Sequence, residues 1–206
     1  MSVPLYITSC GRIDNRYVHK NGELLLKQEG VGTEWLAAVY KHFGYDYPKF
    51  YRMDGLSKLG WLATELVLSD GYVKSYPPED TGIVILNRSS SMDTDKKYLE
   101  SVKTIASPAL FVYTLPNIVL GEISIRHKLK GESALFVAER FDSEFMVQQV
   151  HDLFAEGSVE SCICGWLEFF GNKIDAAVYF VEKKRNGISI PFTQENINKL
   201  YELPDG

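Results

Sequence analysis

The stretch SPALFVYTLPNIVLGEISIRHKLKG, residues 107–131, contains the least polar part of the chain and marks both ends of a helix. Pro116 lies in the expected first turn, where proline's missing N–H leaves no hydrogen bond unmade, and Gly131 follows the expected end. The stretch therefore predicts a helix over residues 116–129. Because Pro116, Asn117 and Glu122 interrupt the apolar residues, it predicts no membrane span.

Outward from this helix, apolar runs of strand length alternate with helical patterns. This alternation predicts an α/β fold with a mainly parallel sheet and helices packed on it. The turn-like pair Gly171-Asn172 separates the last two strands, which leaves an antiparallel C-terminal hairpin as an alternative. The predicted strands are residues 5–8, 82–86, 134–138, 160–165 and 176–182, and the other predicted helices are residues 34–43, 56–68 and 142–156.

Composition and charge exclude several classes of protein. The 206 residues are 45% hydrophobic and 24% charged, which is close to the globular average and predicts one domain over residues 1–206. A net charge of −5 argues against non-specific attraction to nucleic acid or to anionic lipid. The N-terminus lacks the cationic and long apolar regions of a signal peptide. We therefore expect a cytoplasmic protein with no nucleic-acid partner.

The chain has three cysteines, Cys10, Cys162 and Cys164, so they cannot all be paired. Their spacing matches no zinc or redox motif, and we expect neither a metal nor a cofactor. Cys162 and Cys164 alternate with other residues in a predicted strand and should share one face as packed side chains.

The stretch 107–131 resembles a segment of the β-ketoacyl-acyl-carrier-protein synthases, which have the thiolase-like fold. In that segment a Pro-Asn helix start, a Gly-Glu pair and an Ile-Arg-x-x-Leu-x-Gly ending precede the strand of the nucleophile. Arg52-Met53-Asp54 before a helix and Glu156-Gly157 before a strand agree with the resemblance, which runs over residues 50 to 170 in the right order. The resemblance implies a thiolase-like half-fold, a single domain like the N-terminal half of these synthases.

The sequence departs from this family where the chemistry should be. The family's strand ends in a nucleophilic cysteine at a helix start, where the helix dipole lowers the pKa of a thiol. Counting from Lys130-Gly131 to Glu156-Gly157 places that position on Arg140, a permanently charged side chain that cannot attack a thioester. No cysteine lies between Cys10 and Cys162, and the glycine-flanked histidine motifs of the family's second half are missing. The resemblance therefore implies no condensation by this chain alone.

Two groups of polar residues are predicted to contact partners. Gln148 and His151 occupy positions where the family has small residues, which suggests a solvated face or a polar partner because burying unpaired polar groups is costly. The alternative for these two side chains is that local hydrogen bonds satisfy them. Arg126, Lys128 and Lys130 form a basic cluster that suits the acidic helix of an acyl carrier protein. The alternative for this cluster is charge complementarity at a helix C-terminus.

The segment Asn87 to Asp95 follows a predicted strand and contains Ser89, Ser90 and Ser91. Its hydroxyls and Arg88 suit a phosphate, although no glycine-rich loop is present. The alternative is an ordinary polar loop in which Asp93, Thr94 or Asp95 caps a helix.

These observations favour a non-catalytic accessory subunit, similar to a chain-length factor, in acyl-carrier-dependent fatty-acid or polyketide biosynthesis. The resemblance implies that Ser133–Val137 pairs antiparallel with a second copy or with a ketosynthase. The competing hypothesis is an acyl-thioester transferase or hydrolase that uses Cys164, one of Ser89, Ser90 and Ser91, or a histidine.

Overall fold

A single mixed sheet organises the fold in the computed structural model, which describes residues 3–202. The strands run in the order β3-β2-β1-β7-β6-β4-β5, with β8 paired beside β1. Their bounds are β1 Tyr6–Asp14, β2 Tyr17–Lys20, β3 Glu23–Lys27, β4 Thr81–Asn87, β5 Ser133–Val137, β6 Ser161–Phe170, β7 Lys173–Glu182 and β8 Ile190–Pro191.

Helices pack on both faces of this sheet, and short polar side chains begin several of them. Asp54, Asp142 and Thr193 each accept a hydrogen bond from the backbone N–H three residues ahead, which satisfies a donor that the helix leaves free. The helices are α1 Gly32–His42, α2 Gly55–Leu68, α3 Met92–Val102, α4 Pro108–Val112, α5 Ile118–His127, α6 Ser143–Ala155 and α7 Gln194–Tyr201, with 3₁₀ turns at Pro48–Arg52, Tyr72–Ser75 and Pro78–Asp80.

The predicted α/β class and the C-terminal hairpin are confirmed, but the expected mainly parallel sheet is wrong. Only β4 makes parallel pairs, with β5 and β6, and the other strand pairs in residues 3–202 are antiparallel. The reason is the length of the connections: β1, β2 and β3 follow each other through two-residue turns, and Gly171, at φ 58°, turns β6 back into β7. Such short turns join only antiparallel strands.

Alternate residues of β4 separate two apolar cores. Ile83 and Ile85 pack with α1, α2 and α5 on one face, whereas Val84 and Leu86 pack with α6 and the C-terminal segment on the other. The second core includes Phe192 and Ile197, so residues 188–202 cover the outer end of this face. The ends of α5 and the exposed side of α6 therefore lie on opposite faces of the sheet.

Candidate functional site

Arg140 lies in the connection between β5 and α6, which is where the sequence predicted the lost nucleophile. Its side chain is exposed, and within residues 3–202 it makes no hydrogen bond or ion pair. Asp142 takes the N–H of Phe145 at 2.9 Å, and the Phe141 ring turns inward to stack on Tyr201 at 4.2 Å. The junction thus has a helix start beside a surface arginine, without a thiol.

The three thiols lie elsewhere and are all buried. Burial raises the pKa of Cys10 to about 11 and raises the pKa values of Cys162 and Cys164 still further. A thiolate, the reactive form, is therefore strongly disfavoured at each position. Cys162 and Cys164 point to the same core as predicted, and this packing gives no support to Cys164 as a relocated nucleophile.

One carboxylate on β6 holds the serine-rich loop that follows β4. The backbone N–H groups of Arg88 and Ser89 both donate to Glu168 Oε2 at 3.0 Å, and the Ser89 hydroxyl donates to the other oxygen. Ser91 donates to the carbonyl of Thr114 at 2.6 Å. Because Glu168 already occupies these amides, the loop offers no cradle for a phosphate, in agreement with the ordinary-loop alternative.

The expected cap at Asp93, Thr94 or Asp95 is wrong, because α3 begins at Met92 and all three residues lie inside its first turn. Thr94 donates to Asp54 at 2.8 Å instead, and Asp93 accepts the N–H of Gly171 at 3.0 Å. These two bonds tie α3 to α2 and to the β6–β7 turn.

The basic cluster divides into one residue held in the fold and two exposed residues. Arg126 donates to both oxygens of Glu65 at 2.6 and 3.0 Å and lies over the rings of Tyr47 and Trp61, at 5.0 and 5.4 Å from their centroids. Lys128 and Lys130 are exposed; Lys128 ends α5 in the left-handed conformation, and Lys130 lies 3.3 Å from Glu79. Within this cluster and the residues that the structure describes, Lys128 alone is an exposed cation without an ion-pair partner, because Lys130 pairs with Glu79.

Gln148 and His151 lie on α6, across the sheet from this cluster. Gln148 is exposed, and the half-buried His151 ring lies 6.0 Å from that of Phe192. One flat partner surface cannot cover both groups, since the sheet separates them. The predicted contacts of these residues and of the basic cluster stay predictions.

The outer edge of β5 is the free edge of the sheet on this side. The Ile83 N–H donates to Glu132 at 2.9 Å and the Ala138 N–H donates to Asn87 at 2.8 Å, so even-numbered residues of this strand bond to β4. In a parallel ladder the alternate residues direct their backbone groups the other way. Among residues 3–202, Ser133, Leu135 and Val137 consequently present N–H and C=O groups without a partner at the edge.

A groove of about 440 Å³ runs beside this edge, between α5 and β5. Asn117, Gly121 and Ser124 line it from the helix, and Ser133 and Leu135 line it from the strand. A side chain at Gly121 would meet nothing within 4 Å, so the groove is open at that point.

Exposed apolar side chains are frequent along the chain from α3 to β5, on these elements and in the loops between them. Ile105 is 84% exposed and Val137 is 62% exposed. Sequence reasoning missed them because their apolar runs resemble core helices. The α3–β5 apolar surface, as we call it, consists of Leu99, Val102, Ile105, Phe111, Val112, Leu115, Ile125 and Val137.

Within residues 3–202, no group of three or more His, Cys, Asp or Glu side chains is arranged to hold a metal ion. Over the same residues, no helix has the length and apolar character needed to cross a bilayer.

No protein-family model matches the sequence, and no curated protein matches it. Solved structures do match. The ishigamide ketosynthase/chain length factor aligns with a TM-score of 0.67 at 16% identity, over 91% of this chain and 64% of that chain. A type II polyketide synthase ketosynthase with its acyl-carrier protein, AntDE:AntF, aligns with a TM-score of 0.58 at 18% identity, over 88% and 63%. This chain thus spans less than two thirds of the length of either.

A third similar structure is nearer in length. The ketosynthase ApeO in complex with its chain length factor ApeC, from Xenorhabdus doucetiae, aligns with a TM-score of 0.57 at 14% identity, over 96% of this chain and 90% of that chain. At these identities the likeness shows the fold alone, and this chain shares the thiolase-like fold of these ketosynthase structures. The expectation drawn from residues 107–131 is confirmed at that level.

Proposed function

We propose that this chain is a non-catalytic, chain-length-factor-like subunit that pairs with a ketosynthase in acyl-carrier-dependent fatty-acid or polyketide biosynthesis. The observation that carries the proposal is the free edge of β5. Its three outward residues offer backbone groups to another strand, and Val137 adds an exposed apolar side chain. An uncovered edge of this kind invites pairing with a second chain.

The surroundings of the edge favour a large, specific interface. The α3–β5 apolar surface includes Val137 on β5 itself and Ile125 on α5, the helix that lines the groove beside the edge. A partner strand laid against β5 would bring its own helices onto the groove and the apolar side chains. Burying apolar area in this way is what distinguishes an obligate interface from a transient one.

A ketosynthase is favoured over a second copy because the nucleophile has to come from the partner. Arg140 stands at the junction of β5 and α6, and the three thiols of this chain are buried with raised pKa values. A pair of identical chains would therefore lack a reactive cysteine at this junction in both halves. Two of the similar structures are described as a ketosynthase with a chain length factor, which supports a mixed pair.

The test combines pairing with an edge variant. The purified chain is mixed with purified ketosynthases taken from ketosynthase/chain-length-factor pairs, and molar mass is measured by light scattering after size-exclusion chromatography. We expect a mixed complex in a 1:1 ratio. Val137→Pro should abolish it, because proline removes an N–H that faces the free edge while the bonds to β4 remain. Val137→Thr is the matched control, since it keeps the N–H and should still pair.

Two results would contradict the proposal. A chain that stays at 23.3 kDa with every ketosynthase, or a homodimer of twice that mass that ignores them, would remove the mixed pair. Mass spectrometry after incubation with acyl-thioesters tests the non-catalytic part. A stable acyl group on Cys164, on one of the loop serines or on a histidine would establish the transferase or hydrolase instead.

A further inference from the structure

A second concave site lies at the other end of β5 from Arg140. A cavity of about 490 Å³ forms where α2 ends, where α5 ends and where the 3₁₀ turn Tyr72–Ser75 passes between them. The α5 end leads into the start of β5, whereas Arg140 follows its finish, so about 16 Å of strand separates the two places. The volume is in the range of sites that hold small molecules.

The walls of this cavity combine an apolar floor with positive charge. Tyr45, Leu68 and Val73 supply the apolar surface, and Lys74 and Lys128 line it as exposed side chains. Neither lysine has an ion-pair partner within residues 3–202. These two lysines therefore form a local positive site in a chain whose net charge is −5.

The other charges around the cavity cancel. Arg126 and Glu65 form a two-bond ion pair, and the His127 ring faces the same carboxylate at 3.2 Å. Asp70, which follows the cavity residue Ser69, is paired with Lys20 at 2.7 Å. Among the residues that line the cavity, the two lysines therefore leave a charge of about +2.

We propose that this cavity binds a small phosphomonoester with an apolar or aromatic body. A phosphomonoester carries close to two negative charges at neutral pH, which matches two unpaired ammonium groups. A carboxylate prefers the planar fork of arginine, and the fork of Arg126 is occupied by Glu65. The apolar body would lie on Leu68, Val73 and the Tyr45 ring.

The test is isothermal titration of the full chain with phenyl phosphate at constant ionic strength, compared with inorganic phosphate. We expect phenyl phosphate to bind more tightly, because inorganic phosphate lacks the apolar body. Lys74→Gln and Lys128→Asn should each weaken phenyl phosphate about tenfold, the loss expected for one charge-assisted contact. Asparagine is chosen at position 128 because it tolerates the left-handed backbone found there, φ 59°.

Lys130→Gln is the matched control. It removes the same charge two residues from Lys128 but outside the cavity, and it should leave binding within twofold of the parent. An equal loss of affinity for phenyl phosphate in all three variants would indicate general electrostatic attraction and would contradict the proposed site. No binding of phenyl phosphate at millimolar concentration, or equal binding of the two phosphates, would overturn it as well. If Lys128→Asn fails to fold, Lys74→Gln alone decides, and its pairing with a ketosynthase should be unchanged.

Discussion

At the scale of the residue, Glu65 is the point at which α2 and α5 are joined. Burial alone would raise the pKa of this carboxyl, but the contacts with His127 and Arg126 outweigh burial and lower the pKa of Glu65 to about 2. Arg126 in turn covers two aromatic rings. Arg126, one member of the basic cluster that the sequence predicted to contact a partner, therefore stabilises the fold.

This pKa predicts a defined loss of stability in acid. A lowered pKa stabilises the fold fully above the unfolded-state value near 4.5, and the contribution disappears as the pH falls towards 2. We expect Glu65→Gln to lower the free energy of unfolding by about 3 kcal/mol at pH 6. The difference from the parent should shrink by about 2 kcal/mol at pH 3. Urea denaturation at the two pH values measures it.

The control is Glu79→Gln, which removes an exposed partner of Lys130. It should change stability little at either pH, because exposed ion pairs contribute little. A Glu65→Gln deficit of the same size at pH 3 and pH 6 would show that Glu65 does not titrate as described.

At the scale of the element, α2 is fixed by Asp54, the residue that precedes it. The α2 helix is buried along its whole length, and Asp54 both caps it, through the Ser57 N–H at 2.9 Å, and binds the Thr94 hydroxyl of α3 at 2.8 Å. One carboxylate thus sets where α2 begins and where α3 lies. The sequence identified Asp54 as a helix entry, but not its second bond, because Thr94 is 40 residues away.

Removal of this carboxylate should cost more than removal of a simple cap. We expect Asp54→Ala to lower the free energy of unfolding by about 2 kcal/mol, since a cap and a second hydrogen bond are both lost. Asp142→Ala, which removes the cap of α6 on the surface, should cost about 1 kcal/mol. Thermal unfolding of the two variants side by side measures the difference. Equal losses would mean that the bond to Thr94 contributes nothing.

At the scale of the whole molecule, the C-terminal segment closes the second core. Phe192 and Ile197 are buried under α6, and Tyr201 bonds Asp175 at 2.7 Å beneath the stacked ring of Phe141. Because the sheet and this segment together cover the apolar side of α6, the opposite side of the helix can remain polar. This arrangement explains why Gln148, on the polar side of α6, is exposed.

We expect Phe192→Ala to destabilise the chain by about 3 kcal/mol, because it empties a buried aromatic site. Ile125→Ala is the control: this side chain is 62% exposed and belongs to the α3–β5 apolar surface, so the free energy of unfolding should change by less than about 0.5 kcal/mol. Chemical denaturation measures both. A small effect of Phe192→Ala would mean that residues 188–202 are dispensable for the core.

The sequence by itself determined the α/β class, the helix that ends before Gly131, the places of α1, α2, α5 and α6, and the absence of a cysteine between β5 and α6. These features depend on local periodicity, caps and residue identity. Only the tertiary structure decided the mixed direction of the sheet, the free edge of β5, the internal role of Arg126 and the cavity beside Lys74 and Lys128. Each of these features depends on contacts between residues far apart in the chain, and a local sequence pattern cannot predict which distant residues come into contact.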